Sequence, residues 1–175
     1  AAVRKAAQRN PALANKIGLC IGLFCGGTKD LRYTSLLLRL MGLRASQVTE
    51  FAFRGDGWPG RPRATDLQGR NLYPDPKSPL IGRVWQRAAF TPARCLLCDD
   101  PLAAAADIAV GDPWGLDYAD DPVGHSLAVI RTEAGQNAIE CAEAVGGITV
   151  RRRVPETDII QSQRALLWRR HRATA

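Results

Sequence analysis

The residues of this chain best suited to chemistry are cysteines in two short segments that lie far apart in the sequence. Residues 22–27 read Gly-Leu-Phe-Cys-Gly-Gly, and residues 94–98 read Arg-Cys-Leu-Leu-Cys. A Gly-Asp-Pro-Trp-Gly turn follows at 111–115. Thiolates are the usual ligands of iron–sulfur clusters, and glycine lets backbone amides approach the sulfurs. The pattern therefore favours an iron–sulfur cluster over a disulfide, and with it an electron-transfer function.

A four-iron cluster needs four soft ligands, and the chain offers three strong candidates. Cys95 and Cys98 have the C-x-x-C spacing that lets two sulfurs face one metal centre, and Cys25 lies on a glycine-rich loop. Within the chain, the fourth ligand would be Cys20 or Cys141. Cys20 lies in an apolar run and Cys141 in a predicted helix, where a cysteine is more typical of a small buried hydrophobic residue.

The C-x-x-C pair alone leaves other chemistries open. Zinc would use the same pair, but it favours a second pair or histidines, and the chain has only two histidines. Thioredoxin-like redox chemistry would place the pair at the start of a helix that follows a strand. Here a proline-bearing loop precedes the pair, which favours a metal-binding interpretation.

The bulk composition indicates a globular protein with one core. The chain has 175 residues, 46% of them hydrophobic and 23% charged, and no apolar run approaches the roughly 20 residues of a membrane span. Its five cysteines, without a secretory signal, predict a cytoplasmic protein and argue against a disulfide framework. The net charge is +7, but aromatic residues do not interleave with the basic ones, so no nucleic-acid partner is predicted.

The elements that must position the cysteines follow from hydrophobic spacing and turn residues. Cys25 is expected on a loop between a buried strand and a helix capped by Thr28, and Cys95 and Cys98 on a second loop. The pattern predicts an α+β fold, a mixed sheet with hairpins and flanking helices around cluster-bearing loops. The expected helices cover residues 1–15, 29–43, 78–90, 133–144 and 155–168, and the expected strands cover 17–24, 48–54, 61–67, 71–73, 106–111, 126–132 and 148–154, with a polar acidic loop at 117–121.

The order of these motifs resembles the C-terminal domain of the coenzyme F420 hydrogenase/dehydrogenase beta-subunit family. The matching elements are the segments at 22–27 and 94–98, Arg-Gly-x-x-Trp-Pro-Gly at 54–60, and Ala-Asp-Ile-x-Val-Gly-Asp-x-Trp at 106–114. Together with a later Gly-x-Ser segment they run from about residue 15 to 167. We therefore interpret residues 1–175 as such a C-terminal domain. Because the chain opens on Ala1 and its one methionine is Met41, it is expected to be a piece of a longer protein.

The resemblance implies an iron–sulfur flavoprotein oxidoreductase. In such a protein a [4Fe-4S] cluster lies close to FAD, and electrons pass between them to a small-molecule acceptor such as coenzyme F420. A redox partner subunit or a ferredoxin would exchange these electrons. The carried-over cluster ligands are Cys25, Cys95 and Cys98. The family's Pro-Cys-Gln segment, absent here, would supply the fourth from upstream of Ala1.

The flavin-binding candidates lie in two places. Glycines at 55–60 would allow close backbone approach, a tryptophan could stack, and arginines could meet a pyrophosphate or the flavin N1 region. The candidates are Arg54, Gly55, Gly57, Trp58, Gly60, Arg61, Asp112 and Trp114. For Asp112 and Trp114 the alternative is a turn cap and a core residue. No catalytic residue is assigned. The alternative function is a non-catalytic zinc- or cluster-binding interaction module.

Overall fold

The computed structural model describes residues 2–86, 89–116, 118 and 121–173. Most of the acidic loop expected at 117–121 lies outside the described residues. The contacts divide the chain into two compact units. The first unit comprises Ala1–Gly26, Cys98–Leu116 and His125–Ala175, and the second comprises Gly27–Leu97 and Asp117–Gly124.

Helices and strands alternate along the chain in an α+β arrangement. In chain order they are α1 (Ala2–Arg9), α2 (Pro11–Ala14), β1 (Ile21–Leu23), α3 (Leu31–Leu40), a 3-10 turn (Ala45–Gln47), β2 (Val48–Gly55), β3 (Arg61–Asp66), β4 (Asn71–Leu72), α4 (Pro79–Gln86), α5 (Ala93–Leu96), β5 (Ile108–Gly111), β6 (Leu127–Ile130), α6 (Glu133–Ala144), α7 (Glu156–Ser162) and α8 (Arg164–Ala173). Within the described residues, every helix is too short or too polar to cross a bilayer.

The first unit is built on a three-stranded mixed sheet in the order β1-β5-β6. β1 runs parallel to β5, with Ile21 opposite Ile108, and β5 runs antiparallel to β6, with Ile108 opposite Ile130. The parallel pair needs a long crossover between its strands, which residues 24–107 supply. Because β1 and β5 are parallel, the loops that follow them leave the sheet at the same end of the strands.

A buried carboxylate, Asp107, ties the first unit together just before β5. Its side chain is almost fully buried and accepts hydrogen bonds from the backbone N–H of Cys20 at 2.8 Å, the hydroxyl of Thr132 at 2.8 Å, and the guanidinium of Arg4. The Cys20 N–H, followed by the Thr132 hydroxyl, lowers the pKa of Asp107. One side chain thus connects α1, the segment before β1 and the start of α6.

The second unit places α3 against an antiparallel sheet in the order β2-β3-β4. α3 begins after Asp30, whose carboxylate accepts the backbone N–H of Arg32 and caps the helix. The helical repeat then aligns Tyr33 and Leu37 on one face, and both are buried. The buried apolar cluster of this unit consists of Tyr33, Leu37, Leu38, Met41, Leu43, Ala64 and Val84.

Several predicted elements agree with the structure. The α+β class is confirmed, the helix predicted at 133–144 coincides with α6, and the helix predicted at 1–15 forms as two helices, α1 and α2. The strands predicted at 48–54, 61–67, 71–73, 106–111 and 126–132 correspond to β2, β3, β4, β5 and β6. Where one mixed sheet was expected, however, there are two separate three-stranded sheets.

The strand predicted at 17–24 is wrong in length and burial. β1 covers only Ile21–Leu23, and the side chains of Ile21 and Leu23 are 62% and 69% exposed. Because β1 pairs only with β5, it lies at the edge of its sheet, and its apolar side chains are not covered as in a central strand. The cap of α3 was also misplaced, since Asp30 performs the role expected of Thr28.

The strand predicted at 148–154 does not form, although all of these residues are described. The N–H groups of Gly147 and Ile148 both donate to the carbonyl of Ala142, and Val150 donates to the Glu143 carboxylate. The backbone of this segment is therefore directed to the end of α6 rather than to a sheet. The helix predicted from Pro155 to Trp168 is divided into α7 and α8 at Gln163.

Candidate functional site

The loop that carries Cys25 is fixed by backbone hydrogen bonds within the first unit. The N–H of Phe24 donates to the carbonyl of Val110 at 2.7 Å, which extends the pairing of β1 with β5. The N–H of Cys25 donates to the carbonyl of Pro101 at 2.8 Å, three residues after Cys98. The backbone of the first cysteine segment is therefore attached to the residues that follow the second.

Small residues allow the Cys25 loop to approach β5 and the segment at 103–106. A Cβ added to Gly111 would lie 2.3 Å from a ring carbon of Phe24 and 2.6 Å from its Cβ. A Cβ added to Gly22 would lie 2.3 Å from the Cβ of Ala103. No side chain fits at either position, so these two glycines are required by packing on both sides of the loop.

Cys95 lies in a one-turn helix, α5, and not on the loop predicted for it. Its N–H donates to the carbonyl of Pro92 at 2.9 Å, and its side chain is half-buried. A Cβ added to Gly27 would lie 3.8 Å from the Cβ of Cys95, so the second cysteine segment lies against the main chain two residues after Cys25. Cys98 follows the helix and is exposed.

The three predicted cluster ligands are divided between the units, with Cys25 and Cys98 in the first and Cys95 in the second. All five cysteines are thiols. Among the described residues, no three His, Cys, Asp or Glu side chains form a group that could hold a metal ion. In donor type the three thiols match an iron–sulfur cluster, which takes soft sulfur ligands.

The two cysteines that were not chosen as ligands, Cys20 and Cys141, occupy different environments. Cys20 is half-buried, and its N–H donates to Asp107, in keeping with a structural position. Cys141 is exposed on α6, which contradicts the buried position expected from its place in a helix. The sequence spacing within α6 did not show that Cys141 lies on the exposed face of the helix.

The glycines of the β2–β3 hairpin make close contacts with protein atoms. Gly57 and Gly60 have φ values of +89° and +72°, where a side chain is strained. A Cβ on Gly57 would lie 2.9 Å from the carbonyl oxygen of Pro122, and one on Gly60 would lie 2.8 Å from the carbonyl oxygen of Gly57. The close approaches at these two glycines are therefore to protein atoms of the second unit, and their assignment to a flavin stays a prediction.

The tryptophan of this hairpin, Trp58, contacts residues 122–124. The N–H of Trp58 donates to the carbonyl of Pro122 at 2.9 Å, and a Cβ added to Gly124 would lie 2.7 Å from the Trp58 side chain. Gly55 lies at the end of β2 and is buried, and a Cβ there would lie 3.0 Å from the Cβ of Arg63. The hairpin tip and residues 122–124 thus form one packed structure in the second unit.

The arginines of the hairpin differ in their surroundings. The Arg61 guanidinium lies 3.7 Å from the centre of the Tyr73 ring and 3.7 Å from the Asp56 carboxylate. A hydrogen bond from Tyr73, with a further one from Arg63, lowers the pKa of Asp56. Arg61 therefore has a structural role inside the hairpin, whereas Arg54 is exposed on β2.

The sequence interpretation did not select Lys29, which follows the first cysteine segment in the chain by two residues. The Lys29 ammonium donates to the carbonyls of Val84 and Ala89 at 3.1 and 2.9 Å and to the hydroxyl of Thr91 at 2.9 Å. Lysine after a Gly-Gly-Thr turn gives no local signal of this role, because its acceptors lie 55 to 62 residues further along the chain.

Comparison with known protein families gives a match along most of the chain. The family described as the C terminus of the coenzyme F420 hydrogenase/dehydrogenase beta subunit matches residues 1–156. The chain belongs to this family. No curated protein matches the chain. The predicted resemblance is thus confirmed, and the family is one of redox-enzyme subunits.

The remaining flavin candidates lie in the first unit, on the turn after β5. The carbonyl of Asp112 accepts hydrogen bonds from the Gln163 amide at 2.7 Å and from the N–H of Trp114 at 3.0 Å. Trp114 is 41% exposed, which excludes the core position considered for it. It lines an open groove of about 450 Å³ with Arg164 and Trp168, both of which lie beyond the family match.

Proposed function

We propose that this beta-subunit domain is the electron-transfer domain of an iron–sulfur- and flavin-dependent oxidoreductase. Cys25, Cys95 and Cys98 would be thiolate ligands of a [4Fe-4S] cluster. The observation that carries the proposal is the hydrogen bond from the Cys25 N–H to the Pro101 carbonyl, in a chain of this redox family. It attaches the backbone of the first cysteine segment to the residues just after the C-x-x-C pair.

The surroundings of the three cysteines support their role as ligands. Cys25 and Cys98 are exposed residues, which suits ligands that take up a cluster from solution. Gly26 and Gly27 follow Cys25 directly, and glycine lets backbone N–H groups approach cluster sulfurs, where hydrogen bonds tune the potential. When bound, the cluster would supply single electrons and FAD would supply two-electron hydride chemistry.

For FAD we propose contacts from side chains rather than from the hairpin glycines. Arg54 is exposed and carries a charge suited to a pyrophosphate, and Trp58 offers an aromatic surface at the hairpin tip. Gly57 and Gly60 would act indirectly, by giving the hairpin its shape. Asp112 and Trp114 are proposed on the same basis, as an acidic group and an accessible ring on the turn after β5.

The acceptor proposed is coenzyme F420 or a related small organic molecule, and the electron donor a redox partner subunit or a ferredoxin. These assignments follow from the family and not from a contact in the structure. We also propose a cytoplasmic location, since thiols of this kind persist in a reducing compartment. The acceptor, the electron donor and the location do not affect the ligand test that follows.

The experiment is anaerobic purification of the full chain, with iron, acid-labile sulfide, zinc and flavin measured on the same sample. Because only three ligands are assigned within the chain, the cluster is reconstituted anaerobically with excess 2-mercaptoethanol, which can supply the fourth thiolate. Under these conditions the parent is expected to contain iron and sulfide and to absorb broadly in the visible range. Cys25→Ser, Cys95→Ser and Cys98→Ser should each lose iron, whereas Cys141→Ser, a matched control on α6, should retain it.

Two results would overturn this proposal. Loss of iron from the Cys141→Ser variant, at unchanged helicity, would contradict the ligand assignment. A colourless parent that contains zinc and no iron would instead indicate a non-catalytic interaction module.

A further inference from the structure

Lys29 joins two segments of the second unit that are distant in the sequence. Its ammonium reaches the carbonyl of Val84 near the end of α4, the carbonyl of Ala89, and the hydroxyl of Thr91. The last carbonyls of a helix have no partners within the helix, and a cation there is favoured by the helix dipole. The side chain is half-buried, so these bonds are partly shielded from water.

A neighbouring backbone bond strengthens the same junction. The N–H of Asp30 donates to the carbonyl of Phe90 at 2.9 Å. Residues 29 and 30 therefore hold the segment from Ala89 to Thr91 at three consecutive residues, through two carbonyls and one hydroxyl. Cys95 follows Thr91 by only four residues, so its distance from residues 27–30 depends on this junction.

The contact at Gly27 shows how closely the segments approach. A Cβ on Gly27 would lie 3.8 Å from the Cβ of Cys95 and 3.8 Å from the methyl group of Thr91. Gly27 is two residues after Cys25, and two residues of chain span at most about 7 Å. Separation of the two segments would therefore move the Cys95 thiol away from Gly27.

We propose that Lys29 is a positioning residue, whose ammonium holds Cys95, a proposed cluster ligand, against the main chain at Gly27. This inference rests on the proposed function for its purpose, but not for its geometry. Lysine suits the position because its compact ammonium presents several donors to acceptors that converge from different directions.

The test measures the approach of the segments without any metal. In a chain whose cysteines at 20, 25, 98 and 141 are replaced by alanine, Gly27→Cys leaves that thiol and Cys95 as the only pair. The 3.8 Å separation of the Cβ positions is the usual one for a disulfide. Equilibration in glutathione buffers, followed by alkylation and mass spectrometry, gives the effective concentration of one thiol at the other. The strain of a side chain at Gly27, where φ is +106°, is common to all variants.

Lys29→Met is expected to lower this effective concentration about tenfold or more, because a hydrogen bond to a charged group is worth at least that factor. Lys77→Met, the same substitution at an exposed lysine of the second unit, should leave it unchanged. An unchanged value in a folded Lys29→Met variant would overturn the inference. If that variant does not fold, Thr91→Val tests the inference instead, since it removes the hydroxyl that accepts from Lys29 and keeps the methyl group. We expect about a threefold decrease from it, and no decrease would overturn the inference.

Iron analysis of the parent chain tests the proposed function separately. A parent without iron, even with excess thiol present as the fourth ligand, would refute the cluster, while the disulfide measurement would still decide whether Lys29 holds the two segments together. If both succeed, Lys29→Met should also retain less iron than Lys77→Met after the same anaerobic reconstitution. Equal iron in the two variants would show that the junction does not serve the cluster.

Discussion

The packing of Phe24 on Gly111 gives a quantitative prediction about the loop that carries Cys25. A Cβ at Gly111 would lie 2.3 and 2.6 Å from the Phe24 ring and 2.6 Å from the Phe24 Cβ. Rotation of the ring cannot relieve the last contact, so the backbone at Phe24 would have to move. That movement would strain the bond from the Phe24 N–H to Val110, which measures 2.7 Å.

Gly111→Ala is therefore expected to destabilise the chain by about 2 kcal/mol, within the usual range for an added methyl group in a packed site. For a chain of this length, that corresponds to a fall in Tm of roughly 4–8 °C. Urea denaturation followed by circular dichroism, with the thermal midpoint as a second measurement, would provide both quantities.

Gly18→Ala is the matched control, because nothing lies within 4 Å of the position its Cβ would take. It should change stability by less than about 0.5 kcal/mol. A second test combines Gly111→Ala with Phe24→Gly, which removes the atoms in conflict. The penalty of Gly111→Ala should shrink in that background, as expected for residues in contact. A Tm within about 1 °C of the parent for Gly111→Ala, or a penalty independent of Phe24, would refute the packing argument.

Two other substitutions test the interiors of the units. Leu37→Ala should destabilise the second unit by about 2–5 kcal/mol, because the side chain is fully buried and its removal leaves a cavity; urea denaturation measures the loss. Asp107→Asn should destabilise the first unit at neutral pH. Because its pKa is lowered from 3.8 in the folded chain, the carboxylate stabilises above that value and this contribution is lost as the pH falls through the folded pKa. The stability difference between parent and variant should thus shrink in acid, and a pH-independent difference would contradict this role.

The elements best predicted from sequence are those with local signals at both ends. α6 agrees with its predicted limits, since Thr132 caps its start through a bond to the Gly135 N–H and Gly146, with φ +71°, follows its end. β1 was overestimated because an apolar run does not show how many neighbours a strand has. Whether Ile21 is covered depends on the strand order, which is a property of the whole sheet.

The residues of the candidate site also differ in how well the local sequence predicts their positions. Cys25 was correctly placed on a strand-to-helix loop, because a strand pattern, two glycines and a helix pattern follow one another directly. The roles of Lys29 and Asp107 could not be read from the sequence. Their partners include Thr91 and Cys20, which lie 62 and 87 residues away, and no local pattern encodes contacts at such separations.

The hairpin glycines determine how a flavin measurement on this domain should be interpreted. Gly60 packs against Arg54 and Gly57 within the hairpin, so Gly60→Ala would disturb the fold whether or not a flavin binds there. Flavin loss in that variant would therefore not identify a flavin contact. Arg54→Gln is the informative substitution, since it keeps the Cβ on which Gly60 packs and removes the cation. If Arg54 meets a pyrophosphate, its loss should weaken FAD binding about tenfold or more. Equal FAD affinity for parent and Arg54→Gln, measured by titration of the flavin-free chain, would exclude that contact and favour the accessible ring of Trp114 on the turn after β5.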